Sequence, residues 1–278
     1  MKKKYLIPLL FLCFGYSTAQ AEPTETITLV ADYWCPYNCE EKAAAPGYMV
    51  EVAKQIYNKA NINVVYKVMT WKDAIAEARK GTYTAIVGAN RGDAPDFIFP
   101  ELVQGISINQ VWIRNDSDFK YKNMRSLDNL RLGVVEGYSY GKIADSYIAE
   151  RIKKNDGTIV VLSGENVLAA NINALLKRHV DAILEDRNVI EYYFASHNLP
   201  MTIKSAGNPV DINDYSDTYV FIAFSPNHPK SKEYAKLLSN GMRQMRQNGE
   251  LEKILDIYNM DHIYRFIGKT GEIKPEIH

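Results

Sequence analysis

Two short segments carry the residue types best suited to hold a charged small molecule. The first is Gly137-Tyr138-Ser139-Tyr140, a glycine turn between the apolar run RLGVV and a helical pattern. A helix start presents free N–H groups and the positive end of the peptide dipole, a ready site for a carboxylate. The Ser139 hydroxyl alternatively serves only as an N-cap of that helix, and both roles are compatible. The second is Glu185-Asp186, which closes the apolar run VDAIL. A carboxylate at the end of a strand holds a ligand ammonium group through a charge-assisted bond. The two acids face opposite sides of the strand. No serine elbow, metal-spaced histidine pair or phosphate loop is visible, so no catalytic residue, metal site or cofactor is assigned.

The chain opens MKKKYLIPLLFLCFGYSTAQAEP. A basic start, an apolar run to Phe14 and the small residues of Ala19-Gln20-Ala21 form the pattern of a cleaved signal peptide over residues 1–21, which places the mature chain in the periplasm. The apolar run is well short of the roughly 20 residues a membrane anchor needs. Cys13 lacks the preceding small residue of a lipidated cysteine. Without residues 1–21 the chain loses three lysines from a balance of 33 basic against 33 acidic side chains, leaving a net charge of −3. That surface offers no footprint for nucleic acid or anionic lipid. Two cysteines remain, Cys35 and Cys39 in WCPYNC. Three residues separate them, where redox pairs usually have two, and no histidine lies near in sequence. A structural disulfide pinning the turn is the favoured reading over a redox or metal pair.

The rest of the chain alternates strand and helix patterns, as in a parallel α/β sheet. ETITLVADYW, NVVYKVM and YTAIVGA read as strands. GYMVEVAKQIYNKA and TWKDAIAEARKG read as helices, the second with Thr70 as N-cap and Gly81 just past its end. A polar stretch near residue 114 precedes a second series from RLGVVEG to VDAILED. TYVFIAF then reads as a strand, and Pro229 to Gln247 as a long amphipathic helix with Tyr234, Leu237, Leu238, Met242 and Met245 on its apolar face. Asn248-Gly249 interrupts it, and a short helix ends near Tyr258.

Five motifs in order give the mature chain a resemblance to the family-3 extracellular solute-binding proteins, the polar amino acid receptors of ATP-driven importers. They are ADYWCPYN with GYMVEVAKQI, ARKGTYTAIVGANRGDAPDFIFPE, RLGVVEGYSYGK, LLKRHVDAILEDRNVIEYY and FSPNHPKSKEYAKLLSNGMRQMRQNGELEKIL. The resemblance implies the type II periplasmic binding protein clamshell, two α/β lobes joined by two hinge strands. Lobe one is expected over 22–113 plus 222–278 and lobe two over 114–221.

The resemblance also implies the ligand shell. Asp186 is the acid expected to hold the ligand's ammonium group, with Glu185 as the adjacent alternative. Pairing with Arg187, or capping the next helix, is the competing role for Asp186. Asp32, Tyr33, Trp34 and Tyr37 cluster after the first strand and Trp71 opens the second helix. Aromatic residues at these points stack on the ligand side chain in the family, although such residues also fill cores. Tyr138, Ser139 and Tyr140 form the turn opening lobe two. The informative departure is the loop Gly88-Ala89-Asn90-Arg91-Gly92-Asp93. Amino acid receptors of the family carry an arginine here that clamps the α-carboxylate, and counting back from Phe99-Pro100 puts Asp93 at that position. Arg91 either takes over the clamp by another loop path or is a solvent-facing charge. A ligand with more positive charge, or one lacking the carboxylate, enters consideration.

The expected function is capture of a small polar ligand and its delivery to the membrane permease of an ABC importer. The rival readings are a dehydratase-type enzyme, with Glu185, Asp186 or Glu136 as the acid, and a soluble sensor for a membrane kinase or cyclase. A monomer is the default expectation.

Overall fold

A computed structural model describes residues 25–211 and 213–269. The expected signal peptide lies outside the described residues. The chain begins β1 (Glu25–Ala31), α1 (Tyr48–Lys59), β2 (Ile62–Val68), α2 (Trp71–Lys80), β3 (Ala85–Ala89) and β4 (Gly105–Ile106). It continues through β5 (Asn109–Arg114), β6 (Leu132–Val135), α3 (Lys142–Lys154), β7 (Ile159–Leu162), α4 (Val167–Leu176), β8 (Ala182–Asp186), α5 (Arg187–Ser196) and β9 (Ile203–Ser205). It closes with β10 (Tyr219–Phe224), α6 (Ser231–Gln247) and α7 (Glu250–Ile257).

The strands form two five-stranded sheets with matching orders, β2-β1-β3-β10-β4 and β7-β6-β8-β5-β9. In each, three parallel strands come first and an antiparallel strand joins the third. The helices cover the sheets because their apolar faces repeat at helical spacing. On α2, Thr70 Oγ1 accepts from Asp73 N at 3.3 Å, and Gly81 takes the left-handed φ of 89° that ends the helix. On α6, Tyr234, Leu238, Met242 and Met245 are buried, each apolar one adding about 1.5–3 kcal/mol when fully withdrawn from water. That helix starts at Ser231, slightly later than the sequence pattern suggests.

The exchange points between the sheets differ from those expected. Asn109–Arg114 pair with β8 and β9, so the outgoing crossing runs through Ser107 and Ile108 rather than at 114. Tyr219, Val220 and Phe221 pair with β4 and β3, so the return falls at the start of β10 rather than after 221. An apolar run such as QVWI suits either sheet equally, and its pattern carries no information about its partner. Among the described residues no helix is long and apolar enough to cross a membrane.

Candidate functional site

The C-terminal ends of β1 and β3 face the turn between β6 and α3 across a cleft of about 440 Å³, counting the part open to solvent. The local sequence positions its walls. After β1 the chain folds back between Trp34 and Asn38, closed by the Cys35–Cys39 disulfide. Tyr37 stacks on Trp34 with ring centres 4.1 Å apart, which holds the indole flat. Asn38 Nδ2 donates to Asp32 O at 2.7 Å and ties the turn to its strand. Gly88, at φ 91°, is required beside this turn. A Cβ there would stand 2.9 Å from Asn38 Oδ1 and 3.3 Å from the Trp34 ring.

Carboxylates dominate the cleft. Asp32, Asp93, Glu185 and Asp217 line it, and no lysine or arginine does so among the described residues. Trp34 Nε1 donates to Glu185 Oε1 at 2.9 Å, joining β1's turn to β8. The Asp186 backbone N–H donates to the same oxygen at 2.9 Å. Tyr138 Oη donates to Asp32 Oδ2 in a short contact. Asp93 accepts from Ser139 N at 2.8 Å, Asn90 N at 2.8 Å and Trp71 Nε1 at 3.3 Å. Asn90 completes the contact by donating from Nδ2 to Ser139 O at 3.0 Å. At the exposed edge Lys72 Nζ pairs with Glu136 at 2.8 Å. The two lobes are therefore held shut by bonds from their own cleft residues.

Burial makes these acids hard to ionise. It pushes Glu185 up to about 8 against a usual 4.5, with the Trp34 bond offsetting part of the effect. It raises Asp93 to about 7, despite the Ser139 and Asn90 amides, and Asp32 to about 6, despite the Tyr138 hydroxyl. Such a cleft disfavours negative charge and rewards a cation that restores it. Trp34, Trp71 and Tyr138 add aromatic surface, the last two meeting edge to face at 6.2 Å.

Of the residues singled out in the sequence, Asp32, Trp34, Trp71, Gly88, Asn90, Tyr138 and Ser139 meet at this cleft. Four do not. Asp186 is fully buried away from it: its Oδ1 accepts from Val189 N at 3.0 Å, capping α5, and its Oδ2 accepts from Ile108 N at 2.8 Å in the crossing. Tyr37 Oη, which donates to Ile106 O at 2.6 Å, lies 3.3 Å from the same carboxylate. Arg91 turns outward and stacks its guanidinium on Phe99 and Phe221, 4.6 and 5.2 Å from the ring centres. Tyr140 is buried in the second lobe's core, where its hydroxyl accepts from Val135 N at 2.7 Å. Tyr33 lines a separate hollow beside Glu165 and His197. Asp93 and Glu185, the neighbouring acids weighed in the sequence, line the wall instead, together with Asp217, Ser107 from the crossing and Asn109 from the start of β5. Strand alternation signals the Glu185 placement, since the two acids of that strand must face opposite ways.

A family profile described as bacterial extracellular solute-binding proteins, family 3, matches residues 27–261. A search of curated proteins found no match. Among solved structures, the substrate-binding protein of an ABC uptake transporter from Streptococcus pneumoniae, with bound histidine, is 17% identical. It has a TM-score of 0.68 over 84% of this chain and 92% of that one. A structure from work on glutathione import via GshT and the cystine ABC importer TcyBC of Streptococcus mutans is 18% identical, with TM-score 0.66 over 84% and 94%. A histidine kinase sensor domain with similarity to periplasmic binding proteins is also 18% identical, with TM-score 0.65 over 84% and 95%. At these identities the likeness is one of fold.

Proposed function

The chain belongs to the bacterial extracellular solute-binding proteins of family 3, and on that premise we propose that it captures a small ammonium-bearing solute between its lobes and passes it to the membrane permease of an ABC importer. The observation that carries this reading is the cleft itself. Aromatic rings and buried carboxylates from both lobes converge there, and bonds such as Trp34 to Glu185 link the lobes across it. A ligand that touches both lobes favours the closed arrangement over the open one, and the permease reads the closed shape. The protein acts outside the cytoplasmic membrane as a binder, and its acids serve to hold charge rather than to transfer protons to a substrate.

A thermal-shift panel of amino acids, amines and small organic acids tests this. A true ligand at 100 times its dissociation constant adds about 2.7 kcal/mol of apparent stability. Uptake of that ligand by cells lacking the protein should fall to background. A flat response across the panel contradicts the reading.

A further inference from the structure

We propose that the cleft selects a small organic cation carrying no carboxylate, an amine or guanidinium compound rather than an α-amino acid, because the protein's own carboxylates fill the place where a ligand carboxylate would bind. This deepens the reading above and rests on it. The start of α3 is the natural anion site, since its leading amides have no intrahelical partner. Here three amides of the turn and of the first helical residue are taken. Ser139 N donates to Asp93 Oδ1, Tyr140 N to Asp145 Oδ1 and Lys142 N to Asp217 Oδ2, each at 2.8 Å. The Ser139 hydroxyl is likewise committed to Asp145 Oδ2 at 2.6 Å.

The basic side chain that could replace those donors is also elsewhere. Arg91 lies against Phe99 and Phe221, outside the cleft. A ligand carboxylate entering here would meet four acids and no lysine or arginine among the described residues. A cation meets the reverse. Glu185 is 1% exposed yet lines the cleft, and both bonds it receives fall on Oε1, leaving Oε2 to accept from a ligand. The rings of Trp34, Trp71 and Tyr138 line the same cleft and suit the carbon skeleton of an organic cation.

Matched pairs that differ only in the carboxylate test this by calorimetry on the protein without its leader: cadaverine against lysine, agmatine against arginine, histamine against histidine. The expected result is that the decarboxylated member of at least one pair binds at least 100-fold more tightly than its amino acid. An amino acid binding as tightly as its amine overturns the inference and leaves the solute-binding reading standing. No binding by either member of any pair, together with a flat thermal-shift panel, overturns both. Asp93→Asn keeps the shape and the bond to Ser139 while removing the charge, and should lower the preference within the binding pair at least tenfold. An unchanged preference in that variant contradicts the role assigned to Asp93.

Discussion

Trp34 and Glu185 lie 151 residues apart in the chain and meet at 2.9 Å, indole nitrogen to carboxyl oxygen, across the cleft. One belongs to the disulfide-closed turn of the first lobe and the other is the penultimate residue of strand β8 in the second. A single bond therefore reports both lobe closure and the chemistry of the wall.

Glu185→Gln should weaken binding of a cationic ligand about 10- to 100-fold, since a hydrogen bond to a charged group contributes about 1.5–3 kcal/mol. The amide still accepts from Trp34, so folding is preserved. Above pH 8 the variant should melt at a higher temperature than the parent, because it carries no buried charge there. Calorimetry and thermal melts at pH 7 and 9 check both effects.

Ligand affinity should rise with pH. A carboxyl whose folded value lies above its unfolded one binds its proton more tightly when folded. The stability that proton contributes is fully present below the unfolded value and is lost as pH climbs through the folded one. For Glu185 the window runs from 4.5 to about 8, and for Asp93 from 3.8 to about 7. A cation favours the ionised forms, so its binding releases protons within this window. The dissociation constant of an amine, itself charged up to about pH 10, should fall by roughly tenfold per pH unit for each proton released. Titrations in buffers of different ionisation enthalpy count those protons. An affinity that is flat from pH 5.5 to 8 contradicts this.

Asp186→Ala should behave as a stability variant. Its carboxyl caps α5 and holds the crossing at Ile108, so its loss costs about 1–3 kcal/mol. At a temperature where the variant is folded, ligand affinity should stay within about threefold. Chemical denaturation and calorimetry separate the two, and a 100-fold loss of affinity in folded protein would return Asp186 to the ligand shell.

Replacing Cys35 and Cys39 together by serine should lower stability by about 2 kcal/mol, the low end expected for so short a loop. The same variant should also bind more weakly, because the turn that aims Trp34 loses its closure. Denaturation midpoints and ligand titration measure the two effects. Unchanged affinity would show that Tyr37 stacking alone suffices to place the indole.

Much of this architecture is legible in the residues, for identifiable reasons. The helix of Trp71–Lys80 has a cap, an apolar face and a terminal glycine, so pattern and structure coincide. Strands of two or three residues, such as β4 and β9, are too short to show a period. Asn109–Arg114 is apolar enough for either sheet, and only long-range pairing decides where the chain crosses. The site was partly legible. The aromatic turn and the α3 start were readable as chemistry, whereas Arg91 and Asp93 lie two residues apart and only the loop path decides which faces the cleft. Likewise Glu185 and Asp186 differ in pointing, not in type, and a cap bond to Val189 settles which one turns away.

The most direct test of the account is the crystal structure of the protein with the tightest binder from the cation panel. The account predicts ligand density between the lobes, with the cationic group within hydrogen-bond distance of Glu185 or Asp93 and its carbon skeleton against Trp34 and Tyr138. Ligand density at any other place on the molecule, or an anionic group of the ligand bound to the amides at the start of α3, would contradict it.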